Sequence, residues 1–384
     1  MTVPAAGPSR RLVIAMAAIY YGFFLAGAGT GIWAAHIPIV QQRLDLDPAI
    51  LGIALFAMAI GALIAMPVAG WAIGRFGSRP AAGFVSIAYA VLMAGPIAAP
   101  NLPLFFAACF LFGTTLGALD VAINVQASEV EKERGKPTMS SFHGFFSIGG
   151  LAGAGLGAGV IALGWGNGGG AAAVALILTG CSVWAAFNYW PRGKVAGAGP
   201  RFTLPNRAAL ALGLLALLSF AAEGAIVDWS ALYLATDKAS GAVAAAAGFA
   251  GFSIAMAIFR LTGDAIVARL GDRRTLIGGG VLVALGITVA VLSPLAALSA
   301  VGFAIIGIGA ANAVPVVFSE AGRIPGMTAN GGMASVVTLG YAGFLTCPPI
   351  LGFVGREWGL GASLALVGLM GVAIAALGAA RPAE

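Results

Sequence analysis

Long apolar runs, each about the length of a membrane-spanning helix, follow one another along the whole chain and are separated by short polar connections. A bilayer core requires roughly 20 predominantly apolar residues for one helical crossing. Twelve runs meet this length and predict transmembrane helices over residues 12–40, 50–73, 81–99, 103–127, 138–163, 171–190, 208–235, 242–268, 275–294, 297–319, 328–354 and 359–380. The predicted fold is therefore an all-α membrane protein with twelve transmembrane helices.

Composition supports a chain that resides in a bilayer. Hydrophobic residues make up 60% of the 384 positions and charged residues only 9%, whereas soluble domains carry roughly 25% charged residues. The 58 glycines suit such helices, because small residues let helix backbones approach closely in lipid.

Cysteines occur singly and no Gly-x-x-x-x-Gly-Lys-Ser/Thr loop is present. We therefore expect no disulfide, no metal site, no cofactor and no ATP hydrolysis.

Basic residues are concentrated in alternate connections between the predicted helices. Sixteen of the 20 Lys and Arg residues lie in one set of connections, and three lie in the other set. Because positively charged loops are retained on the cytoplasmic side, both termini are predicted to be cytoplasmic, in a bacterial inner membrane. This topology accounts for the net charge of +6, so no nucleic-acid partner is expected.

The first apolar run is too long for a removable signal peptide and predicts a permanent helix.

Two matching basic turns lie about half a chain apart and indicate a duplication. Each has an Arg-x-Gly-x-Arg core after a long apolar run, formed by Arg75, Gly77 and Arg79 in the first turn and by Arg269, Gly271 and Arg273 in the second. Further matches at nearly the same offset pair residues 24–33 with 220–229, Gly52 with Gly248, and 117–120 with 309–312.

The longest polar connection, residues 191–206, divides the chain between the two copies. It predicts an N-terminal six-helix bundle at 1–190, a cytoplasmic linker at 191–206 and a C-terminal six-helix bundle at 207–384. Tandem halves of equal topology place a substrate site near the middle of the bilayer, between the two pseudo-symmetric bundles.

The first basic turn resembles the Gly-x-x-x-Asp-Arg-x-Gly-Arg-Arg signature of the major facilitator superfamily, carried here by Gly70, Arg75, Gly77 and Arg79. The resemblance extends over essentially the full length and implies a cytoplasmic charge latch between the two bundles. Gly74 occupies the acidic position of the signature, and Ala268 occupies it in the second copy. The resemblance therefore implies a weakened latch, or one in which Asp264 or Asp272 supplies the acid. The alternative is that the arginines, Arg269 and Arg273 included, mainly anchor the topology.

Two further segments refine this resemblance. Gly149, Gly153 and Gly157 are similar to the Gly-x-x-x-Gly-Pro-x-x-Gly motif of the antiporter branches, with Ala154 in place of the proline. Four-residue glycine spacing is also typical of close helix packing. The segment 120–150 resembles a poorly characterised bacterial branch loosely akin to sugar and fucose permeases, which does not name a substrate.

Ionisable groups inside the predicted helices are candidates for coupling, because burying each in lipid costs roughly 2.5–3.5 kcal/mol. Asp120 and Asn124 lie four residues apart and share a helix face, and His143 is predicted at a similar depth on the next helix. A carboxylate near an imidazole can exchange protons near neutral pH. A static polar network between two helices is the alternative interpretation.

The second half contributes further charged candidates. Glu223 and Asp228 are five residues apart, about 140° around a regular helix, so we expect only Glu223 to face the cavity and Asp228 to lie near the outer surface. Arg260 and Asp264 are predicted to pair with each other, and an unpaired Arg260 would instead bind a carboxylate or phosphate. His36 is expected at the membrane interface. Candidates for contacts with the substrate through stacking or hydrogen bonds are Tyr20, Tyr21, Trp33, Asn124, Gln126, Trp229, Arg260 and Asn312.

The sequence thus predicts a secondary active transporter, active as a monomer, that imports a small polar organic solute such as a sugar or metabolite with protons. Asp120, His143 and Glu223 are the candidates for proton coupling, and the bundles would rock around a central site. Proton-driven efflux of drugs or hydrophobic metabolites is the alternative. A membrane-embedded enzyme or a sensor is less favoured, because the buried polar residues are sparse and lie on different helices.

Overall fold

A computed structural model describes residues 9–134, 138–191, 205–321, 323–327 and 329–381. Throughout these residues the secondary structure is helical, without strands. The helices are α1 (Arg10–Leu44), α2 (Pro48–Phe76), α3 (Ser78–Leu92), α4 (Gly95–Ala98), α5 (Leu102–Arg134), α6 (Met139–Ala162), α7 (Gly169–Asn188), α8 (Arg207–Thr236), α9 (Ala242–Leu261), α10 (Gly263–Leu292), α11 (Ala296–Ala310), α12 (Ala313–Ala321) and α13 (Ala329–Ala379).

The membrane-length segments confirm the predicted fold class. Eleven helical segments among the described residues are long and apolar enough to cross a membrane. One of them belongs to α13, whose 51 residues would extend about 77 Å as a straight helix, more than twice the hydrocarbon thickness. Gly359 interrupts α13 with φ 84° and ψ 158°, a backbone conformation that is essentially restricted to glycine. α13 is therefore long enough for two crossings, which makes the described segments consistent with the predicted twelve.

Three predicted helices are interrupted where the sequence pattern predicts continuity. The predicted helix 81–99 comprises α3 and the short α4, and 297–319 comprises α11 and α12 with a break at Ala311 and Asn312. The predicted helix 242–268 is interrupted at Thr262, between α9 and α10. Apolar periodicity did not reveal the breaks at 93–94 and 311–312, because apolar residues continue on both sides of them, and the polar residues Arg260 and Asp264 beside Thr262 were assigned to one continuous helix.

The two basic turns have the same geometry, as a duplicated chain requires. Gly77 has φ 99° and ψ 159°, and Gly271 has φ 76° and ψ 161°. In the first half the Arg79 guanidinium donates to the carbonyl oxygen of Phe187. In the second half Arg273 Nη2 donates to the carbonyl oxygen of Ala379 at 2.9 Å. Each turn thus holds the end of the last helix in its own half.

Glycines bring α1 and α6 to backbone contact. A Cβ atom placed at Gly149 would lie 2.9 Å from Cα of Phe24, and one at Gly153 would lie 2.8 Å from Cα of Ala28. The spaced glycines of α6 therefore serve close helix packing.

The contact between α1 and α6 also buries His36, which is 0% exposed and forms a 2.8 Å hydrogen bond from Nδ1 to the carbonyl oxygen of Ile32. The interfacial position predicted for His36 was therefore wrong.

A second glycine contact joins α2 and α13 on the side opposite to the chain ends. A Cβ atom at Gly52 would lie 2.6 Å from the carbonyl oxygen of Pro348, and one at Gly352 would lie 2.5 Å from the carbonyl oxygen of Pro48. This reciprocal contact connects helices that precede and follow the predicted linker. Residues 192–204 of that linker lie outside the described residues, so its boundaries stay a prediction.

Candidate functional site

A cavity of about 480 Å³ lies between helices from both halves of the chain. Its walls come from α1, α2, α5 and α6 in the first half and from α8, α9 and α13 in the second half. The volume lies within the range of small-molecule sites, roughly 300–1,000 Å³. The position between tandem bundles is the one expected from the duplicated sequence.

The cavity wall is mainly apolar, with four charged side chains. Asp120 projects from α5, Glu223 and Asp228 from α8, and Arg260 from α9. The aromatic residues of the wall are Trp33, Phe112, Phe146, Phe249, Phe252, Tyr341 and Phe344. This composition suits a ligand that has an apolar body and a small number of polar or charged groups.

A chain of hydrogen bonds links α6, α5 and α13 beside the cavity. His143 Nε2 lies 3.2 Å from Asn124 Oδ1, and Asn124 Nδ2 donates to Asp120 Oδ1 at 3.1 Å. The Tyr341 hydroxyl donates to Asp120 Oδ2 at 3.2 Å. Because an amide oxygen can only accept, His143 donates through Nε2. The sequence predicted His143 near Asp120, and the structure places Asn124 between them.

Tyr341 makes this chain a contact between the two halves. Asp120 belongs to a helix before the predicted linker, and Tyr341 belongs to a helix after it. The sequence analysis did not single out Tyr341, because nothing in its local pattern distinguishes it from tyrosines that pack in a bundle. Only the tertiary arrangement of α5 and α13 identifies its role.

Arg260 forms an ion pair with Glu223 across the second half of the cavity. Arg260 Nη2 lies 3.0 Å from Glu223 Oε2, and Arg260 Nε donates to the carbonyl oxygen of Ala311 at 3.3 Å. That carbonyl is available because α11 ends at the break before Asn312. The structure thus pairs Arg260 with a residue other than the predicted Asp264, whose own side chain lies outside the described ones.

Asn312 supports the broken helices and does not line the cavity. Its Nδ2 donates to the carbonyl oxygen of Phe259 at 3.3 Å, close to the break between α9 and α10. An interrupted helix leaves backbone groups without partners in the helix, and in lipid these groups require other partners. Asn312 and Arg260 each satisfy one such carbonyl oxygen, and the predicted substrate contact of Asn312 stays a prediction.

The predicted aromatic contacts divide into one residue that lines the cavity and three that do not. Trp33 lines it and is 2% exposed. The Tyr20 hydroxyl lies 2.7 Å from Ser141 Oγ, the Tyr21 hydroxyl donates to the carbonyl oxygen of Leu178 at 2.5 Å, and Trp229 is 1% exposed. The last three pack between helices, because their faces of α1 and α8 point to neighbouring helices of the bundle.

Asp228 lines the cavity together with Glu223, contrary to the expected position of Asp228 near the outer surface. The two residues point in different directions around α8, but α8 contacts α1 of the first half as well as α9 and α13 of the second. The cavity therefore extends around a wide arc of α8. Helical spacing alone could not reveal this arc, because it depends on how the halves meet.

The residues of the predicted latch make their described contacts within single halves. Ser78 Oγ donates to Glu129 Oε2 at 2.8 Å, and Gln126 Nε2 donates to Ser78 Oγ at 2.7 Å. Glu129 on α5 is therefore the acid beside the first turn, where the sequence suggested Asp264 or Asp272. Of the other residues in the predicted latch, Arg75 and Arg269 are exposed. A Cβ atom placed at Gly70 would have no other atom within 4 Å.

Gln126 belongs to this cluster and does not reach the cavity. It donates through Nε2 to the carbonyl oxygen of Trp190 at 3.0 Å and accepts the Trp190 amide through Oε1 at 2.7 Å. Its predicted role as a substrate contact stays a prediction. Among the described residues, no group of three or more His, Cys, Asp or Glu side chains is arranged to hold a metal ion.

Comparisons with known proteins agree on one family. Residues 19–250 match the sequence model of the Major Facilitator Superfamily. An uncharacterized MFS-type transporter of Yersinia pestis is 36% identical over 363 residues, which cover 92% of each chain. Among solved structures, a mutant of the nucleoside transporter NupG has a TM-score of 0.77 at 13% identity and covers 95% of this chain and 98% of its own. A D-xylose-proton symporter has a TM-score of 0.75 at 15% identity, with 97% and 98% covered.

Proposed function

Because this chain belongs to the Major Facilitator Superfamily and is a multi-pass membrane transporter, we propose that it carries a small polar organic solute through the central cavity by alternating access. The solute enters together with protons, and the two bundles rock around the cavity. The solved nucleoside transporter and D-xylose-proton symporter have the same fold and make a polar metabolite a reasonable substrate class. The transporter acts as a monomer in the cytoplasmic membrane, with both termini in the cytoplasm.

The hydrogen bond from Tyr341 to Asp120 carries this proposal. It is a polar contact between the halves at the cavity wall, 3.2 Å long, and movement of α5 relative to α13 must break it. A hydroxyl binds an ionised carboxylate roughly twice as strongly as it binds a neutral acceptor. Protonation of Asp120 therefore weakens the contact and favours separation of the two helices.

His143 and Asn124 support Asp120 from the side of the first half. Because Asn124 uses its Oδ1 to accept from His143 and its Nδ2 to donate to Asp120, the amide is fixed in the orientation that donates to the carboxylate. Loss of the imidazole would let Asn124 rotate. We assign His143 a positioning role and Asp120 the role of the proton-binding group.

Glu223 is the second proton-binding candidate. Its ion pair with Arg260 joins α8 to α9 within the second half. Protonation of Glu223 would release the guanidinium toward the cavity, where Arg260 could bind an anionic or hydroxyl group of the solute. Coupling would then involve one carboxylate in each half of the transporter.

Transport by purified protein in liposomes tests the role of Asp120. A solute is first selected by thermal stabilisation of the purified protein, and its accumulation under an imposed inward proton gradient is then measured. We expect Asp120→Asn to abolish gradient-driven accumulation but to retain exchange of labelled for unlabelled solute, because the amide can accept from Asn124 and donate to the Tyr341 hydroxyl without binding a proton. Asp237→Asn, at an exposed position beyond the end of α8, is the matched control and should behave as the wild type. Full accumulation by Asp120→Asn would contradict the coupling role.

Efflux of drugs or hydrophobic metabolites is the second candidate, and the apolar wall of the cavity favours it. The two directions differ in how the gradient drives flux. In liposomes of uniform orientation, import moves solute with the protons, whereas proton-driven efflux moves it against them. A hydrophobic cation such as ethidium is the probe for efflux, and its expulsion in exchange for protons would favour this alternative over import.

A further inference from the structure

We propose that the transported solute carries a protonated amine and that Asp228 is the carboxylate that binds it. The inference rests on the proposed transport function and narrows its substrate class. Asp228 lies on the cavity wall, where the sequence pattern did not predict it. It is the cavity carboxylate for which the described residues provide no hydrogen-bond donor and no cationic partner.

The other charged groups of the cavity are already engaged. Glu223 and Arg260 pair at 3.0 Å, and Arg260 also donates to the carbonyl oxygen of Ala311. Asp120 accepts from Tyr341 and from Asn124. Among the described residues that line the cavity, Arg260 has the only basic side chain. Asp228 is therefore the cavity carboxylate that remains available to a cation.

The charge balance of the cavity favours such a cation. The Glu223–Arg260 pair is neutral as a unit, so ionised Asp120 and Asp228 would leave the wall with two uncompensated negative charges. Burial of a charge without a partner is costly, and a bound cation of opposite sign offsets this cost. Asp120 has hydrogen-bond donors that stabilise its charge, whereas for Asp228 a ligand cation would have to supply that stabilisation.

The lining of the cavity suits an amine better than an inorganic cation. Trp33, Phe249 and Phe252 present aromatic surfaces in the same cavity, and such surfaces attract organic ammonium groups. Inorganic cations such as Na⁺ prefer several oxygen ligands together, and the wall around these rings is apolar. Aromatic rings and a carboxylate in one cavity are the combination that recognises an alkylammonium group.

Trp33 supplies a second observation that points to a ligand. Its side chain lines the cavity and is 2% exposed, yet its Nε1 has no hydrogen-bond partner among the described residues. Buried indole N–H groups usually find an acceptor. An oxygen atom of the solute could accept this hydrogen bond, so the expected ligand is an amine that also carries a hydroxyl or ether oxygen.

Matched pairs of probes test the amine directly. Each pair contains a primary amine and the alcohol or N-acetyl derivative of the same skeleton, from D-glucosamine with D-glucose and N-acetyl-D-glucosamine to phenethylamine with 2-phenylethanol. Affinity is measured by thermal stabilisation of the purified wild-type protein at several probe concentrations. We expect at least one amine to bind more tightly than its neutral counterpart by about 10- to 100-fold, the usual value of a hydrogen bond to a charged group.

Substitution of Asp228 tests the assigned residue. Asp228→Asn should remove the preference for the amine while the neutral counterparts bind as before, and Asp237→Asn should preserve the preference. If Asp228→Asn proves unstable, the comparison of amines with neutral counterparts on the wild-type protein still decides the substrate class. The proposal is overturned if no amine in the panel stabilises the wild type more than its neutral counterpart, or if Asp228→Asn binds the amine as tightly as the wild type.

Flux in liposomes separates this inference from the proposed function. Gradient-driven uptake of D-glucose by the wild type, without any preference for D-glucosamine, would retain the transport function and exclude the amine. Binding of an amine through Asp228, without flux of any bound probe, would retain the site and exclude transport. Uptake of the amine that is lost in Asp228→Asn would support both.

Discussion

The two halves of this transporter share the geometry of their surface turns but differ at the centre of the membrane. In the first half α5 runs without interruption from Leu102 to Arg134, and Asp120 projects from it into the cavity. In the second half the matching position is Asn312, which lies at a helix break and donates to a backbone carbonyl. The same ancestral position therefore binds a tyrosine of the other half in one copy and supports the backbone in the other.

The shared and divergent features have different physical origins. The turns at Gly77 and Gly271 adopt a backbone conformation that essentially only glycine can adopt, so both copies retain glycine there. The residues at the centre differ because each half contributes different polar contacts to the cavity wall. The first half supplies a carboxylate on a continuous helix, and the second half supplies an ion pair together with backbone groups freed by two helix breaks. The repeated scaffold thus carries unequal polar groups in its two halves.

The largest expected effect comes from making the first half resemble the second at residue 27. Gly27 matches Glu223 in the duplicated sequence, but a Cβ atom there would lie 2.8 Å from the amide nitrogen of Gly150. Gly27→Glu should therefore force α1 away from α6 and bury a charge, at a cost of more than about 4 kcal/mol. We expect no folded protein in size-exclusion chromatography of the detergent extract.

A glycine in open space serves as the control for Gly27→Glu, because it separates the loss of glycine from the clash between α1 and α6. Gly70 lies in α2, and a Cβ atom there would have no other atom within 4 Å. Gly70→Ala should give wild-type elution and an unchanged or higher Tm. A stable Gly27→Glu protein would mean that α1 and α6 can separate freely, and it would remove the packing difference between the halves.

Exchange of the matching polar residues at positions 120 and 312 is expected to have unequal effects. In Asp120→Asn the amide oxygen can accept from Asn124 and the amide nitrogen can donate to the Tyr341 hydroxyl, so stability should change little. Asn312→Asp removes the donor to the Phe259 carbonyl and places a carboxylate beside that oxygen, which should destabilise the fold by about 3 kcal/mol. Thermal unfolding of the two variants in detergent checks the difference, and equal losses of stability would contradict the separate roles assigned to these residues.

Much of the fold could be predicted from the sequence, because a bilayer makes apolar length and the placement of basic residues decisive. The site was only partly predictable. Asp120 and Glu223 could be found as ionisable groups in apolar helices, and both line the cavity. Asp228 and Tyr341 could not be assigned, because their roles depend on how α8 and α13 meet the first half. The ion pair of Arg260 depends on a helix break that hydrophobic periodicity does not reveal.

The smallest expected effect concerns the feature that the two halves share. Gly77 has positive φ, and a Cβ atom there would meet only Pro80 Cδ, at 3.8 Å, so Gly77→Ala introduces backbone strain without a clash. We expect a cost of about 1–2 kcal/mol, in the lower range for strained residues, and a similar cost for Gly271→Ala because its φ of 76° and ψ of 161° are nearly the same. Gly74→Ala, which lies within α2 beside open space, should be neutral or slightly stabilising. Tm values of the three variants test this directly, and a large difference between the two turn variants would show that the halves use their common turn for different purposes.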